Sequence, residues 1–278
     1  MSKVWFITGA GSGIGAAAAK AALQAGNRVV ATGRNLDKVR NALRDFVGDN
    51  LAVCQLDVSD EEAAQAAVAA AIKQFGRIDV LLNNAGYSLL GNFEEMATAD
   101  IERQFNTNFY GVMHVMRAVM PVMRKQRSGR VINISSVAGV VGLKHCGAYG
   151  AAKFAVEGLS LSIAQEVEPF GIKVTVVAPG FFRTDLLDSG NAKYSKSTIE
   201  DYAGEASAES TYSAYDGQQQ GDPAKLGEVL VRLSELDNPP TQFLAGSDAL
   251  AVVTPILEAR LEALHAYEEL TRSTDGNF

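Results

Sequence analysis

The sequence predicts an α/β fold in three layers, a seven-stranded parallel sheet with helices on both faces, and three observations carry that expectation. Short apolar runs recur at 3–8, 27–32, 51–56, 79–82, 130–134, 172–178 and, more weakly, 241–244. Helical patterns fill the gaps near 13–26, 35–46, 60–75, 99–126, 148–169, 223–236 and 248–271. Such alternation implies parallel strands joined by crossover helices and buried on both faces. The residues able to do chemistry fall just past strand ends, where sheets of this kind bind ligands. Gly9 follows the first strand, Asn83 the fourth, Ser136 the fifth and Pro179 the sixth.

Taken in order, residues 3–8 form a buried strand that runs straight into Gly9, Ala10, Gly11, Ser12, Gly13, Ile14 and Gly15. The Ala-rich stretch 16–26 behind this turn is a strong helix former. Strand, glycine turn and helix together open a Rossmann-like dinucleotide fold, because the glycines let the backbone approach a pyrophosphate and the helix N-terminus offers free N–H groups. The third strand closes on Asp57 and Val58; Asp57 either meets a ligand or caps the next helix, where Ser59 and Asp60 are better placed. In the helix 99–126, Met113, Met116, Met120 and Met123 have helical spacing and read as core or subunit contact, with His114 a packing residue. His145 and Cys146, on the loop after Ser136, read as walls of a substrate mouth. Residues 181–222 form a long connection, read as a lid. Phe181, Phe182, Leu186, Leu187, Tyr194 and Tyr202 suggest an apolar roof, while Tyr212 and Tyr215 fit either the roof or a surface loop.

Composition narrows the class. The 278 residues suit one domain over 1–278, with a core that needs no disulfide or metal staples. Lys plus Arg is 25 and Asp plus Glu is 32, and this net charge of −7 argues against nucleic acid or an anionic membrane as the main partner. The N-terminus enters a strand at once, no apolar run has the length of a spanning helix, and two cysteines make no disulfide framework. The expectation is a cytoplasmic protein without a metal site.

The most informative chemistry is Ser136, Tyr149 and Lys153. Tyr149 follows Ser136 by 13 positions and Lys153 follows Tyr149 by four, one helical turn. A phenol is a poor acid at neutral pH, with an unperturbed pKa near ~10, and a neighbouring cation favours its ionised form. Positions i and i+4 share a helix face, so the Lys153 ammonium can sit beside Tyr149.

With Thr8-Gly9-x-x-x-Gly13-x-Gly15, Asn83-Asn84-Ala85-Gly86, Asn108, Ser136, Tyr149, Lys153 and Pro179-Gly180 in this order, the chain resembles the short-chain dehydrogenase/reductase family, closely over 3–180 and loosely beyond. The resemblance implies hydride transfer between a nicotinamide and a carbonyl or alcohol carbon. Tyr149 would be the general acid, Lys153 would depress its pKa and hold the nicotinamide ribose, Ser136 would orient the carbonyl, and Asn108 would hold a relay water. It further implies that Asp57 meets the adenine, that Asn83, Asn84, Ala85 and Gly86 border its ribose, that Thr184 contacts the carboxamide, and that 181–222 closes over the substrate. The ending, with Gly221-Asp222-Pro223 and a helix from about Asp248 to Arg272, is similar to the branch of 17β-hydroxysteroid dehydrogenases and carbonyl reductases, which favours a homodimer over a tetramer. Neither Thr32 nor Gly33 is the acidic residue that usually accepts from the ribose hydroxyls, whereas Arg34 suits a 2′-phosphate, so NADP(H) is the expected cofactor, with NAD(H) open. Tyr87, Val137, Val141, Leu143, His145, Phe181, Leu186 and Leu187 are the expected substrate pocket, apolar and roomy enough for a bulky ketone. The expectation is NADPH-dependent ketone reduction. The alternatives are an alcohol or hydroxysteroid dehydrogenase working oxidatively and a non-catalytic dinucleotide sensor.

Overall fold

A computed structural model describes residues 2–46, 48–187, 192–203 and 206–276. Its seven-stranded sheet is built from β1 (Val4–Ile7), β2 (Arg28–Gly33), β3 (Leu51–Gln55), β4 (Val80–Asn83), β6 (Gly129–Ile134), β7 (Ile172–Pro179) and β9 (Gln242–Ala245), all parallel, in the order β3-β2-β1-β4-β6-β7-β9. Two further strands, β5 (Leu89–Leu90) and β8 (Lys193–Tyr194), pair with each other outside it. The helices are α1 (Gly13–Gln24), α2 (Leu36–Ala42), α3 (Glu61–Phe75), α4 (Thr98–Phe105), α5 (Gly111–Gln126), α6 (Gly147–Val167), α7 (Ala208–Ser213), α8 (Pro223–Glu235), α9 (Ser247–Ala266) and α10 (Glu268–Arg272).

The central strands explain the continuous apolar runs. Val4, Trp5, Phe6 and Ile7 are all buried because β1 has helices on both sides. Trp5 and Ile7 join a core with Ala18, Ala22, Leu226 and Leu230 of α1 and α8, while Phe6 joins one with Val68, Val115, Met116 and Met123 of α3 and α5. Small residues set the first spacing: a side chain at Gly227 would meet the Ala17 carbonyl at 2.7 Å. Met116 and Met123 are therefore core, and Met120 packs against it. Asp60 caps α3 by accepting from Ala63 N–H at 3.0 Å, and Asp57 instead holds Ser59.

The sheet changes direction between β1, which leads to β2, and β4, which leads to β6, so their carboxyl ends open a crevice there. Three features depart from the expected elements. The helix expected over 99–126 is interrupted by a π-turn, Asn106–Tyr110, in which Gly111 N–H donates to the Asn106 carbonyl five residues back. The C-terminal helix breaks at Tyr267, and every described residue from 254 to 276 is exposed; Ala249 and Val253 dock its start on Val137 and Val141. The expected lid over 181–222 contains β8, a turn at 200–202 and α7, while its residues 188–191 and 204–205 lie outside the described residues. Among the described residues no helix is long and apolar enough to cross a membrane.

Candidate active site

The turn after β1 is shaped by close approach. Gly9 has φ +67°, and a Cβ on it would sit 2.9 Å from the Ala85 Cα, so the two loops at the crevice pack backbone to backbone. Thr8 and Asn84 fasten them. The Thr8 hydroxyl accepts from the N–H groups of Asn84 and Ala85, and the Asn84 amide donates to the carbonyls of Thr8 and Gly9, all within 2.9–3.1 Å. Ser12 precedes α1 without capping it through its side chain, which leaves first-turn N–H groups for a ligand. Gly9, Gly11, Ser12, Gly13 and Ile14 line one cavity of about 1160 Å³. Gly15 does not line it; a side chain there would collide with the Gly9 carbonyl at 2.3 Å, so its part is to let α1 close onto the turn.

From the glycine turn the cavity runs over Arg34, Asp57 and Val58 on one side and Asn84, Ala85, Gly86, Pro179, Gly180 and Thr184 on the other. Asn83 is not in it: its amide donates to Asn133 at 2.8 Å inside the sheet. Arg34 makes no ion pair among the described residues, whereas Lys38, also in the wall, stands 3.9 Å from Asp185. A cavity with exposed helix N–H groups at one point and a free guanidinium farther along fits a dinucleotide. The turn from Gly9 to Ile14 could hold its pyrophosphate.

Asn108, Ser136, Tyr149 and Lys153 line the other end of this cavity. Ser136 lies two residues past β6 and accepts from Ala138 N–H at 3.2 Å, and its hydroxyl is near enough to Tyr149 on α6 to favour the phenolate. Lys153 lies 5.8 Å from the Tyr149 ring centroid, on the same face of α6, and donates to the Ile134 carbonyl at 2.8 Å. Burial dominates both groups. It pushes the Tyr149 phenol up to about 12, against a lowering bond from Ser136, and pulls the Lys153 ammonium down to about 8, against the raising field of Glu157. The expected depression of Tyr149 by Lys153 is therefore absent here, because desolvation of a phenolate outweighs an ammonium held back by a carbonyl. Asn108 is fully buried in the π-turn, and its side chain is spent on the main chain of Tyr87: Oδ1 accepts from the N–H at 3.1 Å and Nδ2 donates to the carbonyl at 2.8 Å. Gln104, one turn earlier, donates to the same carbonyl and accepts from Leu89 N–H.

Beyond Tyr149 the wall is apolar. Of the residues expected there, Tyr87, Val137, Leu143, Phe181, Leu186 and Leu187 line it. Val141 does not; it is fully buried against Ala249 and Val253 of α9. His145 does not either: it sits at φ +63° with Nδ1 3.0 Å from Asn92 Oδ1, turned away from the cavity. Cys146, beside it, is in the wall, together with Tyr212, for which the sequence left roof and surface loop both open, and with Leu90 and Ala138, which sequence reasoning did not place there. Leu90, Ala138, Cys146, Tyr149, Leu187 and Tyr212 form one buried cluster drawn from five separate stretches of chain. No local pattern signals such a grouping, although an aromatic residue in a long connection is a hint for Tyr212.

Residues 3–195 match the short chain dehydrogenase family. Among similar proteins, oxidoreductase BOA17 of Botryotinia fuckeliana is 36% identical over 273 residues, 98% of each chain. The 3-ketodihydrosphingosine reductase of Bacteroides thetaiotaomicron is 37% identical over 248 residues, 88% of each. A short-chain dehydrogenase from Streptomyces avermitilis superposes with a TM-score of 0.91 at 36% identity, covering 99% of this chain and 100% of that one. Similar structures with a nucleotide include ElxO with NADP bound (TM-score 0.73, 33% identity, 88% and 97% covered) and a Burkholderia phymatum homologue in complex with NAD (0.78, 25%, 100% and 98%).

Proposed function

The chain belongs to the short-chain dehydrogenase family of oxidoreductases, and on that premise we propose that it reduces bulky, apolar ketones to secondary alcohols with NADPH. The observation that carries this reading is the neutral phenol of Tyr149 at the floor of an apolar pocket that continues into the glycine turn. NADPH, when bound, supplies a hydride to the carbonyl carbon; the chain supplies the proton and the geometry. With burial holding its pKa at about 12, Tyr149 carries its proton at neutral pH and is loaded as a general acid toward a forming alkoxide. The Ser136 hydroxyl, within reach of Tyr149, orients the same oxygen. Lys153 lines the same cavity 5.8 Å from the Tyr149 ring centroid, and its ammonium favours proton departure as negative charge develops on Tyr149. The apolar cluster excludes water, which strengthens each of these interactions.

A relative named 3-ketodihydrosphingosine reductase supports the reductive direction and a long apolar substrate. Arg34 without an acidic neighbour at Thr32 or Gly33 supports NADPH, as does the NADP bound to ElxO. Exposed Tyr110, Phe154 and Leu161, on the π-turn and α6, support a homodimer through that face.

The test is the initial rate of NADPH and NADH oxidation over ketones graded from small aliphatic to aryl and steroid, with Tyr149→Phe alongside. NADPH-linked reduction of the bulky members, lowered by about 10²-fold or more in the variant, is expected. Undiminished turnover by Tyr149→Phe would exclude Tyr149 as the acid, and a preference for NADH would exclude the Arg34 reading.

A further inference from the structure

The lid is held to the body at points of unequal strength. Its first half is tied by the β5–β8 ladder, and by Glu95, whose carboxylate accepts from Thr198 N–H at 2.6 Å and Ile199 N–H at 2.9 Å. Its second half carries α7, six residues long, and reaches the catalytic loop through Tyr212. The Tyr212 hydroxyl donates to the Lys144 carbonyl at 2.8 Å and lies 3.0 Å from the Cys146 sulfur. A hydroxyl has one proton to give, so the thiol donates to the phenolic oxygen and the chain of bonds runs Cys146 to Tyr212 to Lys144. Tyr215, three residues on, stacks on Phe181 with centroids 4.8 Å apart, but it is half exposed. Tyr212 is 8% exposed, lines the cavity and shares a buried cluster with Tyr149.

We propose that Tyr212 is the specificity-determining gate of the substrate pocket: its bond to the Lys144 carbonyl holds α7 down over Cys146, and bulky substrates enter only when that bond opens. This rests on the ketone-reductase reading for the identity of the substrates, but not for the gate itself. The pocket wall opposite the cofactor end consists of Leu90, Ala138, Cys146 and Leu187, so a phenol released from Lys144 leaves an apolar slot extending under α7. Small ketones fit beside Tyr149 with the gate closed. For long or polycyclic ketones, opening is part of binding, and its cost appears in KM rather than in the proton transfer. Burial pushes the Tyr212 phenol above its ordinary range, so it stays neutral and the gate does not open by ionising near neutral pH.

Cys146 is a built-in reporter, since it is buried beneath the phenol that closes the pocket. The experiment compares wild type, Tyr212→Phe and Tyr212→Ala in two measurements. The first is the rate of Cys146 alkylation by N-ethylmaleimide, read on its peptide by mass so that the half-buried Cys54 is counted separately. Losing one neutral hydrogen bond should raise that rate about tenfold in Tyr212→Phe, and further in Tyr212→Ala. An equal ratio at two pH values separates access from thiol ionisation. The second is kcat/KM for a small and a bulky ketone. The bulky-to-small ratio should rise severalfold through KM, with the pH profile of kcat unchanged. Equal alkylation rates in wild type and Tyr212→Phe would overturn the gate whatever the substrates prove to be, and so would an unchanged bulky-to-small ratio. If no ketone is turned over by the wild type, the reductase reading fails and the alkylation rates alone decide the gate.

Discussion

Replacing Lys153 with methionine should abolish turnover and yet stabilise the folded protein near neutral pH. Methionine preserves the length of the stem and removes the charge. Burial draws the Lys153 ammonium from an ordinary 10.5 to about 8, a difference of roughly 2.5 units. At 1.36 kcal/mol per unit this is a cost of about 3 kcal/mol for keeping the ammonium in place. Against it stands the bond to the Ile134 carbonyl, which methionine cannot make, worth about 1–1.5 kcal/mol. The net expectation is a gain of about 2 kcal/mol in the variant. The sign with pH follows from proton counts. A lysine whose folded pKa is lowered binds fewer protons in the folded state, so wild-type stability rises with pH between about 8 and 10.5. The cost is complete below about pH 8 and fades above it, and the variant lacks this dependence. Urea unfolding of both proteins at pH values from about 7 to about 9.5 measures it, a range in which Tyr149, at about 12, stays protonated in the folded state. A gap between the two proteins that does not narrow with rising pH, or a methionine variant less stable at pH 7, would refute the claim that burial governs Lys153.

Two other perturbations probe separate parts of the site. Gln104→Leu removes the amide that accepts from Leu89 N–H and donates to the Tyr87 carbonyl in a fully buried place, and should cost about 2–3 kcal/mol, read as a lower urea midpoint at unchanged slope. Arg34→Ala should raise KM for NADPH by about 10–100-fold, the loss of a charged hydrogen bond, and leave KM for NADH nearly unchanged; equal effects on both cofactors would mean that Arg34 does not read the 2′-phosphate.

Much of this architecture is written in local pattern. The apolar runs of β1, β2, β4, β6 and β7 are long because both faces of those strands are covered, and their order with the helices leaves few topologies open. The glycine turn and the Ser136, Tyr149 and Lys153 set are legible for the same reason, since each depends on backbone shape or on spacing along one helix. What escaped the sequence depends on contacts between remote segments. Val141 faces α9 rather than the cavity because Ala249 and Val253, more than 100 residues away, need a partner. His145 points at Asn92 because its backbone is left-handed there, which no neighbouring residue type announces. The π-turn is invisible to periodicity because α4, eight residues long, is too short for its apolar phase to be read apart from that of α5. The effect of burial on Tyr149 and Lys153 is likewise a property of the enclosed volume, and spacing alone suggested the opposite direction for the phenol.

That π-turn makes α4 and α5 a two-piece dial. One residue advances an α-helix by about 100°, so the additional residue between Asn106 and Tyr110 sets the angle between the amide-bearing face of α4 and the core-facing side of α5. Gln104 and Asn108 reach the main chain of Tyr87 and Leu89 while Val112, Val115 and Val119 remain in the core, and a uniform helix could not satisfy both. Deleting any single residue of the turn would leave α5 seated and swing Gln104 away from its strand. The tally of residues in this turn thus acts as a register mark, set by the number of residues and not by their identities.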